Sequence, residues 1–181
     1  KAGLKIPQIF DAAINKEVKA VWIIGEDVVQ TDPNSAHVAK AMNALDLLVV
    51  QEIFMSETAK HADVVLPGTT FLEKDGTFTN TERRVQRVNK AAEPLPGTKP
   101  DGLIVTEMMQ KLGYDQKLYD ADEVLAEIAD VVPFFKGITR ERLGKLGLQW
   151  PVKEDGTDTK ILHEKEFKLG KGRIKYFDWK E

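Results

Sequence analysis

The sequence predicts an α/β fold in which a parallel β-sheet is flanked by helices. Three short apolar runs carry this prediction, Ala20–Ile24, Leu47–Val50 and Val64–Leu66. Runs of this length without alternation are typical of strands that are buried in parallel sheets. Helix-forming segments separate the runs, and this spacing implies right-handed crossovers between neighbouring parallel strands.

The segments beside these strands predict the helices. Apolar residues at helical spacing predict a first helix over Ile6–Ile14. Asp32 and Pro33 are typical of the N-cap and the first residue of a helix, and they predict a second helix. Ser56 is placed to cap a short helix over Glu57–Ala62. This part of the chain therefore alternates between strand and helix.

The rest of the sequence is less regular. Residues 75–100 show no clear periodicity, and a stretch of that length is usually a functional loop or a linker. Asp101 is expected to cap a helix with a buried apolar face that includes Leu112. Three further elements are a helix, a helical turn and a terminal hairpin, predicted over Glu123–Val131, Thr139–Leu146 and Lys160–Trp179.

The composition excludes several classes of function. Of 181 residues, 26 are Lys or Arg and 29 are Asp or Glu, so the net charge of −3 provides no basic field for nucleic acid or anionic membranes. Without Cys the chain has no disulfide, thiolate zinc site, cysteine nucleophile or cysteine-ligated iron–sulfur cluster. No apolar run approaches the roughly 20 residues that cross a bilayer. The first residue is Lys1, which predicts a fragment or a processed product.

Polar residues at the ends of the predicted strands are candidate ligand contacts, because ligands bind beyond the carboxyl ends of parallel strands. The first strand leads into Gly25-Glu26-Asp27. Glycine lets the backbone approach a ligand, and a carboxylate accepts hydrogen bonds from ribose hydroxyls or a guanine edge. A tight turn into a helix explains the same residues, and spacing alone favours that interpretation.

Two more candidates follow along the chain. Gln51 and Glu52 end the second strand, where a carboxylate either binds two parallel guanine donors or stabilises the start of a helix. Lys74 is placed either to contact a phosphate or a base or to lie in a solvated turn. Arg83 and Arg84 either meet an anionic cofactor or, as is more common, form a charged surface.

Metal and nucleophile chemistry have no support in the sequence. His37, His61 and His163 are far apart, and no pair has the i, i+4 spacing of metal ligands. The sequence contains neither a Ser-His-Asp arrangement nor a nucleophile elbow. We therefore predict no catalytic and no metal-ligating residue in this chain.

Three segments together resemble the molybdopterin oxidoreductases, and among them the catalytic alpha subunit of formate dehydrogenases. They are VWIIGEDVVQTDPN, LLVVQEIFMSETAKHADVVLPGTTFLEKDGTFTNTERRVQ and KPDGLIVTEMMQKLGY. The resemblance covers roughly residues 5–155, and ADVVLP followed by EKDGTFTNTERRVQ is its most specific part. The later PFFKGITRERLGKLGLQWP resembles the formate dehydrogenase branch.

The resemblance implies a Rossmann-like α/β domain, of the type found in domains 1–3 of formate dehydrogenase and DMSO reductase. It implies that residues 1–118 bind molybdopterin guanine dinucleotide and that residues 119–181 form a helical and irregular extension leading toward a C-terminal barrel. Family members bind two such dinucleotides around one molybdenum or tungsten, and an N-terminal cysteine motif holds a [4Fe–4S] cluster. We expect this piece by itself to be inactive.

The resemblance also implies which residues contact the cofactor: Asp27, Thr31, Gln51, Glu52, Gly68, Lys74 and Asp101. Asp27 matches a Gly-Glu-Asn/Asp motif that contacts the guanosine, and Asp101 matches an aspartate that reaches the guanine from the start of a helix. The chain departs from the common family pattern at three places. It has Asp27-Val28 for Asn-Pro, Glu52 for aspartate and Gly102 for tryptophan.

The implied function is the oxidation of formate to carbon dioxide and two electrons, with this domain holding one guanine dinucleotide arm. The implied partners are formate, other domains of the same subunit and iron–sulfur electron-transfer subunits, without nucleic acid or direct membrane insertion. The expected compartment is the cytoplasm, and any export signal would lie upstream of Lys1. Three alternatives stay open, namely a structural domain of the large complex I iron–sulfur subunit, a nitrate reductase domain and an independent nucleotide-binding module.

Overall fold

The computed structural model describes residues 3–167 and residue 170. These residues form the helices α1 (Ile6–Ile14), α2 (Val28–Thr31), α3 (Ser35–Ala44), α4 (Asp101–Lys111), α5 (Ala121–Val131) and α6 (Arg140–Leu143). They form the strands β1 (Ala20–Ile24), β2 (Leu47–Glu52), β3 (Val64–Pro67), β4 (Gly76–Thr79), β5 (Arg84–Val88) and β6 (Leu148–Gln149). Short 3₁₀ turns lie at Ala59–His61, Phe71–Glu73 and Pro133–Phe135.

The predicted parallel sheet is confirmed. Its strand order is β1-β2-β3, and β2 pairs in parallel with both neighbours. Val50 of β2 lies opposite Ile23 of β1 and Val65 of β3. Val50 is fully buried, which explains why the sequence of this central strand is a continuous apolar run.

The core of this part of the chain is formed by α1, α3 and the parallel sheet. It includes Phe10 and Ala13 of α1, Val38 and Met42 of α3, and Leu48 and Val50 of β2. Burying one side chain as large as Leu48 contributes on the order of 1.5–3 kcal/mol. The apolar faces of α1 and α3 therefore hold both helices against the sheet.

A second sheet has the order β4-β5-β6, and β5 and β6 are antiparallel. Val85 of β5 lies opposite Leu148 of β6. The same valine is buried in a second core, together with Leu125 of α5, Leu143 of α6 and Ile138, which precedes α6. The prediction of irregular structure over residues 75–100 is wrong for β4 and β5. The two short strands are neighbours in one sheet, and β6, much later in the chain, pairs with β5.

The chain divides into two compact units. The first consists of Lys1–Asp75 and Val88–Ala121, and the second consists of Gly76–Arg87 and Asp122–Glu181. The second unit thus takes up the segment that contains β5, since β5 pairs with β6. The division into functional domains at residues 118 and 119 stays a prediction.

The second long helix begins later than the sequence predicts. The N-cap of α3 is Asn34, whose Oδ1 accepts a hydrogen bond from His37 N at 3.1 Å. Asp32, the predicted cap, instead accepts a hydrogen bond from Asn34 N at 2.8 Å. Ser56 Oγ accepts a hydrogen bond from Ala59 N at 3.1 Å, but it precedes a single 3₁₀ turn and not a longer helix.

Two predictions about α4 are wrong. Pro100 occupies the N-cap position, and Asp101 is the first residue of the helix, with its carboxylate turned to other partners. Leu112 ends the helix with 80% of its surface exposed and does not belong to a buried face.

No helix among the described residues is long and apolar enough to cross a membrane. Most of the predicted hairpin over Lys160–Trp179 lies outside the described residues.

We expect Gly137→Ala to destabilise the second unit. Gly137 is buried, and a Cβ there would lie 1.7 Å from the backbone oxygen of Lys153, which cannot move as a side chain can. Overpacking of this kind typically costs about 1–3 kcal/mol or more. Urea unfolding of the 181-residue chain measures the loss. Gly3→Ala is the control because nothing lies within 4 Å of its added methyl group, and equal stability of the two variants would contradict the prediction.

Candidate functional site

The carboxyl ends of the three parallel strands share one edge of the sheet, where ligands bind in α/β folds. Backbone hydrogen bonds continue the pairing past the strand ends. Gly25 N donates to Gln51 O at 2.8 Å, and Gly68 N donates to Glu52 O at 3.0 Å. The loops that carry the predicted contact residues are therefore fixed side by side.

The Asp101 carboxylate is the centre of the polar contacts at this edge. Gln51 Nε2 donates to Asp101 Oδ1 at 2.8 Å, and Lys74 Nζ forms an ion pair with Asp101 Oδ2. Gln51 is fully buried, whereas the side chains of Lys74 and Asp101 are 24% and 37% exposed. With Gly68, these residues form what we call the Asp101 cluster.

Gly68 leaves room for the Asp101 carboxylate beside the backbone at the end of β3. A Cβ at this position would lie 3.0 Å from Asp101 Oδ1, which is a tighter contact than side chains normally tolerate. Lys99 N donates to Pro67 O at 3.1 Å, and this bond brings the chain before α4 beside the end of β3. The glycine therefore lets the Asp101 carboxylate approach the backbone, and a Cβ here would require Asp101 Oδ1 to shift by a few tenths of an ångström.

Asp101 is held in its charged form. Burial is the largest influence and by itself raises the pKa of this carboxyl. Hydrogen bonds from Lys74 and Gln51, together with the Lys74 charge, outweigh burial and place the pKa of Asp101 below its usual value of 3.8. At neutral pH the cluster thus presents a charged acceptor beside a charged donor.

Two buried oxygen atoms near this edge lack hydrogen-bond partners within the part of the chain that the structure describes. They are Gln51 Oε1 and the hydroxyl oxygen of Thr69, the residue after Gly68. Buried polar atoms are nearly always paired, so an orphaned acceptor in the Asp101 cluster indicates a missing donor. The residues present thus fit a polar ligand with hydrogen-bond donors.

Asp27 belongs to a different set of contacts. Its Oδ1 accepts hydrogen bonds from Thr58 N at 2.9 Å and from Thr58 Oγ1 at 2.6 Å, and its Oδ2 accepts one from Glu57 N at 3.2 Å. Burial is the largest influence and raises the pKa of Asp27, but these hydrogen bonds and one from Gln30 lower it overall. No local sequence pattern links Thr58 to Asp27, because 31 residues separate the two.

Glu52 and Thr31, the other two predicted contact residues, have measured contacts with residues close to them in sequence. Glu52 Oε1 accepts a hydrogen bond from Ile53 N at 2.7 Å. Thr31 is exposed, and its hydroxyl lies 3.5 Å from a carboxylate oxygen of Glu26. The structure therefore brings Gln51, Gly68, Lys74 and Asp101 together and leaves Asp27, Thr31 and Glu52 outside that cluster.

Arg83 connects segments of the second unit through hydrogen bonds. Its guanidinium donates to the backbone oxygens of Trp150, Thr159 and Lys160 and lies 5.8 Å from the centre of the Trp150 ring. Arg84 lies 3.6 Å from a Glu82 carboxylate oxygen.

Among the described residues, no group of three or more His, Cys, Asp or Glu side chains could hold a metal ion.

Comparison with known proteins decides the family. A family model described as molybdopterin oxidoreductase matches residues 1–111, which is more than half of the chain. The chain belongs to the molybdopterin oxidoreductase family. The resemblance found in the sequence is thus confirmed, and most of the matched segment lies in the unit that contains the Asp101 cluster.

Two archaeal members of the family are similar to almost the whole chain. Over 97% of its length, this chain is 46% identical to the F420-dependent formate dehydrogenase subunit alpha of Methanocaldococcus jannaschii. It is also 46% identical to the F420-dependent formate dehydrogenase 2 subunit alpha of Methanococcus maripaludis over 96%. The chain spans 26% of the length of each relative.

A solved structure of a family member has the same fold. Acetylene hydratase from Pelobacter acetylenicus superimposes with a TM-score of 0.60 over 74% of this chain and 19% of its own, at 23% identity. At that identity the likeness shows the fold alone.

We expect Asp101→Asn to lower the stability of the chain above about pH 4 and to make less difference in stronger acid. The folded-state pKa of Asp101 lies below its unfolded value of 3.8, so the charged carboxylate stabilises the fold above that value. This contribution is lost as the pH falls through the folded-state pKa. Urea unfolding of both proteins at several pH values between 2 and 6 measures it. A stability difference that stayed constant over this range would contradict the prediction.

Proposed function

We propose that the chain is the part of a formate dehydrogenase catalytic subunit that binds the guanine dinucleotide arm of a bis-molybdopterin guanine dinucleotide cofactor. The observation that carries this proposal is the Asp101 cluster at the carboxyl edge of the parallel sheet. The cluster combines a charged acceptor, a charged donor and an orphaned buried oxygen in a family that binds molybdopterin.

The chemistry of the cluster suits a guanine nucleotide. The two oxygens of a carboxylate match two parallel donors, which guanine presents as N1–H and its exocyclic amine. The Lys74 ammonium group can donate to the guanine carbonyl or to a phosphate oxygen. Gln51 Oε1 offers a further acceptor in a buried position, where an unmade hydrogen bond is most costly.

The role of these residues in the whole enzyme is to position the cofactor. When bound, the cofactor supplies the molybdenum or tungsten at which formate becomes carbon dioxide, a proton and two electrons. Asp101 and Lys74 would hold the guanine end and so help to fix the orientation of the group. A [4Fe–4S] cluster and the metal's protein ligand belong to other parts of the protein, because this chain has no Cys.

Formate as substrate rests on the relatives. Both archaeal proteins are named formate dehydrogenase subunit alpha, and they match the chain nearly from end to end. A subunit name also supports assembly with further subunits, and we propose iron–sulfur electron-transfer proteins as these partners and the cytoplasm as the compartment. A cofactor-free structural domain is the alternative, and it predicts a protein without guanine nucleotide or metal.

We expect Asp101→Asn in the full-length protein to lower the molybdenum or tungsten content and the guanine nucleotide content together. The substitution removes a charge-assisted contact, which contributes about 1.5–3 kcal/mol to binding. Inductively coupled plasma mass spectrometry measures the metal, and chromatography of acid-released nucleotides measures the guanine.

Asp115→Asn is the matched control, since Asp115 is exposed and lies outside the Asp101 cluster. The control is expected to keep its full metal and nucleotide content. Full content in Asp101→Asn as well would contradict the assignment of Asp101. A wild-type protein without guanine nucleotide and metal would favour the structural alternative.

A further inference from the structure

Asp27 and Thr58 join the loop after β1 to the loop after β2. Thr58 donates to the Asp27 carboxylate through its backbone N–H at 2.9 Å and through its hydroxyl at 2.6 Å. Glu57 N adds a third hydrogen bond to the same carboxylate at 3.2 Å. Thr58 Oγ1 in turn accepts a hydrogen bond from Val29 N at 3.0 Å. We call this set of contacts the Asp27–Thr58 clamp.

The clamp is centred on a buried side chain. Thr58 has no exposed surface, and its hydroxyl is used both as donor and as acceptor. Charge-assisted hydrogen bonds such as those to Asp27 are roughly twice as strong as neutral ones. Removing the hydroxyl would leave Val29 N without its acceptor and Asp27 without its shortest hydrogen bond.

The helix that follows Asp27 depends on this anchoring. Helix α2 has four residues, Val28–Thr31, and a helix of that length is not stable by itself. Its first turn is held by Thr58 through Val29 N and by burial of Val28. The position of Thr31, at the end of α2, is therefore set by contacts that originate in the loop after β2.

We propose that Asp27 and Thr58 are positioning residues, and that Asp27 acts on the bound guanine dinucleotide through Thr58 and not by touching it. This inference rests on the proposed function. It assigns a role to Thr58 and changes that of Asp27. The Asp27 carboxylate already accepts three hydrogen bonds from Thr58 and Glu57 and a further one from Gln30, which uses all four of its acceptor sites, whereas the Asp101 carboxylate accepts one each from Gln51 and Lys74. The clamp orders the loop of residues 25–31, so that the edge of the sheet is shaped before the cofactor arrives.

The test is a double-mutant cycle in the full-length apoprotein, with Asp27→Ala, Thr58→Val and the double variant. The affinity for GMP is measured by calorimetry, and amide hydrogen exchange is followed at Val29, Glu57 and Thr58. We expect each single variant to bind GMP at least about tenfold more weakly, because each loses at least one charge-assisted hydrogen bond of the clamp. Asp27→Ala is expected to cost less affinity when Thr58 is already Val than in the wild-type background, because the hydroxyl bond is then already lost and only the backbone hydrogen bonds from Thr58 N and Glu57 N remain to be removed.

Thr58→Ser is the conservative control, since it keeps the hydroxyl that Thr58→Val removes. It is expected to retain the GMP affinity and the slow exchange of the wild-type protein. Faster exchange in both single variants, with an increase in the double variant that is smaller than the sum of the two, supports the clamp. An Asp27→Ala loss of GMP affinity that is equal in both backgrounds would overturn the proposal, because it indicates direct contact.

The two proposals fail in distinguishable ways. A wild-type apoprotein that does not bind GMP contradicts the proposed guanine site. In that case hydrogen exchange still decides about the clamp, since it reports on the loops without a ligand. Exchange effects of Asp27→Ala and Thr58→Val that simply add would overturn the clamp, and coupled effects would support it.

Discussion

Parallel pairing of β2 with both of its neighbours is the constraint on which the candidate site depends. Parallel strands end at the same edge of a sheet, so the loops after β1, β2 and β3 lie together however far apart they are in sequence. The hydrogen bonds from Gly25 N and Gly68 N extend this alignment beyond the strands. The apolar faces of α1 and α3 pack against the sheet, and the polar side chains gather at that edge.

A partly buried charge at this edge needs compensation, and the Asp101 cluster provides it. A carboxylate that loses solvent is unfavourable unless donors replace water, and Lys74 and Gln51 are those donors. The same arrangement keeps Asp101 ionised and leaves Gln51 Oε1 as an unused acceptor. Folding therefore stabilises the charged state that recognition of a guanine requires in the proposed function.

One departure from the family pattern has a local explanation. The resemblance implies a tryptophan at the position of Gly102. A Cβ at this position would lie 2.3 Å from the ring of Tyr119, so the tyrosine covers the space into which a larger side chain would extend. Asp101, one residue earlier, keeps its contacts with Lys74 and Gln51. The substitution thus leaves the Asp101 cluster intact.

The sequence by itself determined the parallel sheet, the helix α1 and the polar residues at the strand ends. These follow from local apolar runs, helical periodicity and the rule that parallel strands end together. The sequence also determined the family, through motifs around Ala62–Pro67 and Glu73–Gln86. Within the site, the sequence predicted that Gln51, Lys74 and Asp101 contact a ligand, but it did not predict that they contact one another.

Only the tertiary structure decided which polar residues share partners. Asp101 looked like a helix cap, but Pro100 takes that position and the carboxylate pairs with Lys74 and Gln51, 27 and 50 residues away. Asp27 is predicted from the sequence to contact a ligand, and only the structure shows that its carboxylate accepts hydrogen bonds from Thr58, 31 residues away. The pairing of β5 with β6, far along the chain, is likewise visible only in the structure. Local patterns carry no information about such long-range pairs, because the free energy that selects them comes from burial and hydrogen bonds formed only after the sheet has aligned its loops.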